Sequence, residues 1–422
     1  MSNIRTEKIA DGVNIRLVPA RQFKTNRITV FLNVPIKREY VTKISLLRQV
    51  MKRGTKNYPS LTGLATELEE MYGASLSGGI RKKGDGELFY FTVEYIADRF
   101  VGENLTKRAV SLLNEVLFNP LIENDGFSEE YLKQEKKNLK NYIEGIINDK
   151  REYAQLRCVD EMFENEPYGI FEYGYIEDFD EITPQNLYDF YKKIINEASV
   201  EIFVSGTFDD EDIINEIKDG FTISPRKNQD VVTTLAKRRK EIKRVTEKMD
   251  VTQSKLCIGL SCDVNYKSDD YYALVLYNTV FGGSPFSKLF NNVREKLSLA
   301  YFVFSRVDKM KGFMLISSGI ENDKFDEAYN EIMVQMDNMK KGEISNDEII
   351  AAKKALANSF NSMRDSLAGM EDFYMSQIIC KTDDTLDGII EKINNVTKDE
   401  IVAVGQKIKQ NTIYFLTGKE EN

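Results

Sequence analysis

Phe127-Ser-Glu-Glu-Tyr-Leu-Lys-Gln-Glu-Lys-Lys-Asn-Leu-Lys140 and Ile344-Ser-Asn-Asp-Glu-Ile-Ile-Ala-Ala-Lys-Lys-Ala-Leu-Ala357 read as one helix start written twice. Each opens with an apolar residue and a Ser at the capping position, followed by acids in the first turn and then a Lys-Lys pair. A second match follows in the same order. Ile182-Thr-Pro-Gln-Asn-Leu187, leading to Val200-Glu-Ile-Phe-Val-Ser-Gly206, parallels Val396-Thr-Lys-Asp-Glu-Ile401, leading to Thr412-Ile-Tyr-Phe-Leu-Thr-Gly418. The offsets, between 212 and 217 residues with order kept, imply two similar halves.

Around these anchors, Ile28–Val34 and Leu88–Ile96 are rich in β-branched and aromatic residues at half-buried strand spacing. Helical patterns run over Thr42–Arg53, Leu61–Tyr72 and Val101–Leu117, and one long helix is expected from Ser128 past Lys150. Strands followed by runs of helices make the class α+β, each half a mostly antiparallel sheet packed by helices. The expected division is 1–221, a linker at 222–250 and 251–422. Ser224-Pro-Arg-Lys-Asn-Gln229 reads as a turn, and Lys237-Arg-Arg-Lys240 as a solvated basic run rather than a docking patch.

Composition narrows the chemistry. The 422 residues contain no His, which excludes imidazole as base, as a nucleophile's partner or as zinc ligand. With 58 Lys and Arg against 67 Asp and Glu, the net charge of −9 argues against a nucleic-acid partner. Cys158, Cys257, Cys262 and Cys380 are expected to be buried thiols. Neither a leader peptide nor a membrane span is apparent, so a cytoplasmic location is expected. Adjacent pairs such as Glu69-Glu70 and Glu129-Glu130 do not share a helix face, so no substitute acidic site is read from them.

The most specific stretch is Phe281-Gly-Gly-Ser-Pro-Phe-Ser-Lys-Leu-Phe-Asn-Asn-Val-Arg-Glu-Lys-Leu-Ser-Leu-Ala-Tyr301. It resembles the C-terminal-half signature of the insulinase/pitrilysin-like zinc metallopeptidases: a Gly-Gly loop, a helix carrying Arg294 and, seven residues on, Tyr301. Arg53-Gly-Thr-Lys-Asn-Tyr-Pro59 and Glu166-Pro-Tyr-Gly169 resemble other segments of that family. The resemblance implies two halves closing as a clamshell around a chamber. It also implies that Arg294 and Tyr301 contact the substrate backbone and the developing oxyanion, with Gly282, Gly283 and Ser284 at the substrate.

Active members carry His-x-x-Glu-His and a further Glu ligand. Counting back from Gly54, the motif falls on Ser45, Arg48 and Gln49, none of which can serve zinc in those roles. Glu135 matches the first acid of the later helix. The ligand position falls on Tyr142, or with a slip of one or two residues on Asn141 or Glu144.

No cofactor is therefore expected on this chain. The resemblance points to the zinc-less subunit of a bacterial heterodimer, whose partner is a zinc-bearing paralogue and whose substrate is an extended peptide taken at a sheet edge. It further implies a link to the 5-aminopentanol modification of elongation factor P. A stand-alone peptide-binding or scaffold protein is the alternative.

Overall fold

The computed structural model describes residues 4–221, 223–226 and 231–419. The first repeat runs β1 (Arg5–Ala10), β2 (Val13–Pro19), β3 (Thr25–Pro35), α1 (Arg38–Val50), α2 (Leu61–Glu70), β4 (Ser75–Lys83), β5 (Gly86–Ile96) and α3 (Leu105–Phe118). A short hairpin, β6 (Ile122–Glu123) and β7 (Gly126–Phe127), leads to α4 (Glu129–Ile146), α5 (Lys150–Met162), α6 (Pro184–Glu197), β8 (Ser199–Gly206) and α7 (Asp210–Gly220). The second runs β9 (Lys243–Met249), β10 (Ser254–Ser261), α8 (Tyr271–Phe281), a π-helical turn (Phe290–Lys296), β11 (Phe302–Asp308) and β12 (Phe313–Ile320). It ends with α9 (Phe325–Lys341), α10 (Asn346–Met363), α11 (Leu367–Cys380), α12 (Leu386–Asn395), α13 (Lys398–Lys407) and β13 (Lys409–Gly418).

The two sheets are the same sheet. The first has the order β1-β2-β8-β3-β5-β4, the second β9-β13-β10-β12-β11 when read from the matching edge. In each, one pair is parallel (β2 with β8, β13 with β9) and the strands beyond it, β8-β3-β5-β4 and β13-β10-β12-β11, pair antiparallel; the first sheet adds the antiparallel β1 outside β2. The repeated helix starts lie at α4 and α10, and the repeated strand-plus-Gly at β8 and β13. Ser345 caps α10 through a reciprocal capping box with Glu348, the role its sequence predicts.

The chain divides into two compact units that exchange segments. One comprises residues 1–144, 170–232 and 366–376; the other comprises 145–169, 233–365 and 377–422. The cut therefore differs from a simple break at 222–250. Residues 222 and 227–230 of the expected linker lie outside the described residues. Lys243–Met249 is not linker but the edge strand β9, with alternating exposure. Lys237, Arg238 and Lys240 of the basic run are exposed, although Arg238 pairs with Asp263 at 2.5 Å and Arg239 donates to the Glu161 carbonyl at 3.0 Å.

The single helix expected from Ser128 past Lys150 is two. Asp149 caps α5 by accepting from the Arg151 and Glu152 amides, both at 3.0 Å, and the break comes a few residues after the chain passes from one unit to the other at Gly145.

In the second unit α5 lays Ala154, Cys158 and Met162, spaced one helical turn apart, on Cys257, Leu315, Tyr414 and Leu416. The four cysteines are buried free thiols, and burial pushes Cys257 up to about 12, so it packs as an apolar residue. In the first unit Val30, Ile28 and their neighbours face a core built with α1, α3 and α6. On the reverse face of β3, Glu371 of α11 is 1% exposed and accepts from Arg27 Nε at 2.9 Å, Thr29 Oγ1 at 2.8 Å and Ser205 Oγ at 2.7 Å. Burial raises its pKa against the pull of Arg27 and the two hydroxyls. Among the described residues no helix is long and apolar enough to cross a membrane.

Removing the carboxylate strands a largely buried guanidinium, 16% exposed, whose other acid, Glu94, stands 3.5 Å away. Glu371→Ala is expected to destabilise the first unit by about 3 kcal/mol, and Glu371→Gln by less. Urea unfolding followed by amide exchange on β3 measures the difference.

Candidate functional site

Helix α1 buries Tyr40, Val41, Ile44, Leu46, Leu47 and Val50, so its remaining face is what the fold offers to chemistry. Ser45, Arg48 and Gln49 stand at i, i+3 and i+4, which keeps them on one side of the helix. Ser45 is buried and donates to the Glu172 carbonyl at 3.3 Å. Arg48 is half-buried. Its Nη1 reaches the Gly78 carbonyl of β4, the edge strand, at 3.5 Å, and its Nε is buried without an acceptor. Just beyond the helix, Gly54 lies so close to Pro59 that a Cβ would meet its carbonyl at 2.9 Å, and Thr55 accepts the turn back from Tyr58. This accounts for the Arg53–Pro59 motif.

On α4, Glu135 is buried and is held by Arg53, with Asn138 on its second oxygen at 3.2 Å. Tyr142 is exposed, its ring 4.7 Å from that of Tyr173. The slipped alternatives offer no better ligand, since Glu144 pairs with Lys140 at 3.7 Å and Asn141 faces solvent. Among the described residues no group of three or more Cys, Asp or Glu side chains converges as metal ligands. A buried hydroxyl already donating, a guanidinium, a neutral amide and a phenol do not fit zinc.

Three participants escaped the sequence reading: Lys52, Tyr173 and the Arg53–Glu135 pairing. Burial pulls the Lys52 pKa down, and the charges of Arg48 and Arg53 add to the effect against Glu135. Burial and the hydrogen bond with Tyr142 push Tyr173 up, while Arg48 is near enough to pull the other way. The aromatic run Phe171-Glu-Tyr-Gly-Tyr175 was the available signal for Tyr173.

In the second unit the Gly-Gly loop is a packing device. The Gly282 and Gly283 amides both close on the Asn278 carbonyl, at 2.9 and 2.7 Å, and the Ser284 hydroxyl donates to the Thr279 carbonyl at 2.9 Å. A Cβ on Gly282 would meet Ser305 Oγ at 2.5 Å and Leu289 at 2.8 Å. These three residues thereby end α8 and seat the π-helical turn against β11. Arg294 lies on that turn, partly exposed, over the Phe290 ring at 4.9 Å and 3.5 Å from its neighbour Glu295. Tyr301 enters β11 with its amide on the Gly319 carbonyl at 2.8 Å. Its ring is 58% exposed, and its hydroxyl has a long contact of 3.4 Å to Glu321. Among the described residues no hydrogen bond joins Arg294 to Tyr301. The positions on α1 and α4 belong to one unit, the Gly-Gly, Arg and Tyr positions to the other.

A duplicated sheet-and-helix fold, with Ser45, Gln49 and Tyr142 where the resemblance expects metal ligands and Arg48 where it expects the acid, fits a metallopeptidase-like protein without that metal site. Residues 181–356 match the family described as the peptidase M16 inactive domain. YmfF of Bacillus subtilis strain 168, described as a probable inactive metalloprotease, is 34% identical over 411 residues, 97% of this chain and 96% of that one. A crystal structure of a conserved protein from Enterococcus faecalis V583 covers 100% of both chains at a TM-score of 0.93 and 32% identity. YmxG of the same Bacillus strain, described as an uncharacterized zinc protease, is 25% identical over 227 residues, 53% of this chain and 54% of that one. The chain belongs to the M16 peptidase family, the insulinase/pitrilysin-like group, as an inactive, metalloprotease-like member.

Lys52 supplies a stability test. Its charged form is disfavoured in the fold, so the cost is fully present below its lowered pKa and vanishes as pH rises past the ordinary lysine value of 10.5. Lys52→Met is expected to raise Tm at pH 7, with the gain fading through that alkaline window; calorimetry across pH checks it.

Proposed function

We propose that this chain acts in the cytoplasm as the zinc-less subunit of a two-chain M16 peptidase. In this reading it supplies peptide binding and the Arg294 and Tyr301 side chains to a zinc-bearing paralogue. The observation that carries the reading is a contrast. The metal positions on α1 have been turned to other uses, while Arg294 and Tyr301 remain partly or largely exposed, with only a 3.5 Å contact to an adjacent acid and a 3.4 Å hydroxyl contact. A guanidinium supplies permanent positive charge and a phenol a directed O–H, which is what a developing oxyanion beside a metal-bound water requires. That one Bacillus strain carries both an inactive-metalloprotease and a zinc-protease relative of this chain supports the pairing. The substrate is an extended peptide added to a sheet edge, where backbone groups give affinity without reading sequence.

In complex with the zinc-bearing paralogue, Arg294→Ala and Tyr301→Phe are expected to leave assembly and zinc content unchanged and to lower peptide turnover by about 10²- to 10³-fold. Full turnover in the substituted complex would assign the pair a structural role and favour the scaffold alternative, and failed assembly would put it in the subunit interface. The proposal extends to elongation factor P. Deleting the gene for this chain is expected to leave that factor without its 5-aminopentanol group, as read by intact-mass spectrometry, and an unchanged mass would remove the link.

A further inference from the structure

The corner between α1 and β4 holds more positive charge than it needs. Arg48 has one marginal hydrogen bond, to the Gly78 carbonyl at 3.5 Å, a buried Nε–H with no acceptor and, among the described residues, no ion pair. Lys52, in the turn just past the end of α1, likewise has no ion pair among the described residues. Arg53 follows, and it takes the nearby acid Glu135 for itself, Asn138 occupying the acid's other oxygen. Glu172 accepts from the Lys82 amide at 3.3 Å through Oε2, and among the described residues no ion pair joins it to Arg48. Burial is the main cause of the depressed Lys52 pKa, and the charges of Arg48 and Arg53 add to it against Glu135. Where an active enzyme of this family keeps a dication, this chain keeps the positive charge and has discarded the coordination.

An unmatched buried donor costs free energy, so a guanidinium left in this state is poised to accept a partner. With Arg48 and Lys52 both cationic, an anion is the acceptor that this corner favours. A guanidinium fork beside an ammonium suits a planar carboxylate bound through two oxygens. The half-exposed Tyr142 and its neighbour Tyr173 add phenol donors at the rim. β4 lies at the end of the sheet order, so its outer row of backbone groups is unpaired within the sheet, and Arg48 already touches that strand at Gly78. A peptide added to β4 passes the guanidinium.

We propose that the α1–β4 corner is a carboxylate-binding site, in which Arg48 and Lys52 take an acidic side chain or the terminal carboxylate of an extended peptide lying along β4. The inference takes from the proposed function only that the ligand is a peptide; the zinc-bearing partner is not needed. The change relative to an active member would then be a change of ligand, from a metal to an acid. It gives the subunit a side-chain preference that strand addition alone lacks.

The test uses the full chain and three ten-residue peptides of otherwise common sequence: neutral and C-terminally amidated, neutral with a free C-terminus, and amidated with a central Glu. Fluorescence anisotropy is expected to show at least tenfold tighter binding of one carboxylate-bearing peptide over the neutral amide, and which one identifies the source of the carboxylate. Arg48→Gln should abolish the preference without lowering Tm. Equal affinity for all three, or a preference unchanged in Arg48→Gln, overturns the site. In parallel, N-acetylglutamate amide is titrated while the Arg48 Nε–H resonance is followed, assigned by its loss in Arg48→Gln. If no peptide binds, the peptide reading falls and this titration decides the site: a saturable shift supports it, and an unmoved resonance overturns it.

Discussion

A sheet buried on both faces has to find cover for both, and helices from its own repeat supply one. In the second sheet β10 and β12 are buried at every position, so neither face can be left to solvent. The remaining cover comes from elsewhere in the chain: α5 for the second sheet, the first part of α11 for the first. The two solutions differ chemically. Cover on the second sheet is apolar, a Cys–Met–Ala stripe against Leu and Tyr, whereas on the first it is organised around the Glu371 carboxylate and its three donors. Everything that positions α1 and the Gly-Gly loop depends on these sheets being closed.

Much of the fold was legible because it is written twice. Helix starts with matched caps, and strands ending in Gly, are local patterns, and their repetition in order carried the two-sheet architecture. What escaped was whatever depends on distant sequence. Lys243–Met249 mixes two pairs of charged residues with Val, Thr and Met, which reads equally as a solvated linker or as an edge strand, and only β13 decides between them. The break at Asp149 is a local cap, yet it follows by a few residues a change of units that no local pattern marks. No periodicity in α5 or α11 says which sheet each will cover.

The site divides in the same way. That Ser45, Arg48 and Gln49 share a face follows from helical spacing, and their unsuitability for zinc follows from chemistry alone. Their surroundings do not follow: Gly78, Glu172 and Tyr173 come from strands and loops 30 or more residues away. The Gly-Gly motif shows another limit, since the residues singled out for substrate also end α8 and seat the π-helical turn. A motif marks where a backbone must go as often as what a side chain does there.

The segment exchange also sets an order of events during synthesis. Helix α5 leaves the ribosome before the sheet it covers, so that sheet can close its apolar face as it forms. The first sheet is complete at β8 but must wait for residues 366–376, and at about 5 to 20 residues per second the interval from Val232 is roughly 7 to 30 seconds. Through that delay the patch awaiting Glu371 stands open to water. It is made of Arg27, Thr29, Thr92 and Ser205, side chains that water solvates well and that give a passing chain little apolar surface to hold. The polar latch is thus suited to a surface that the nascent protein must leave uncovered.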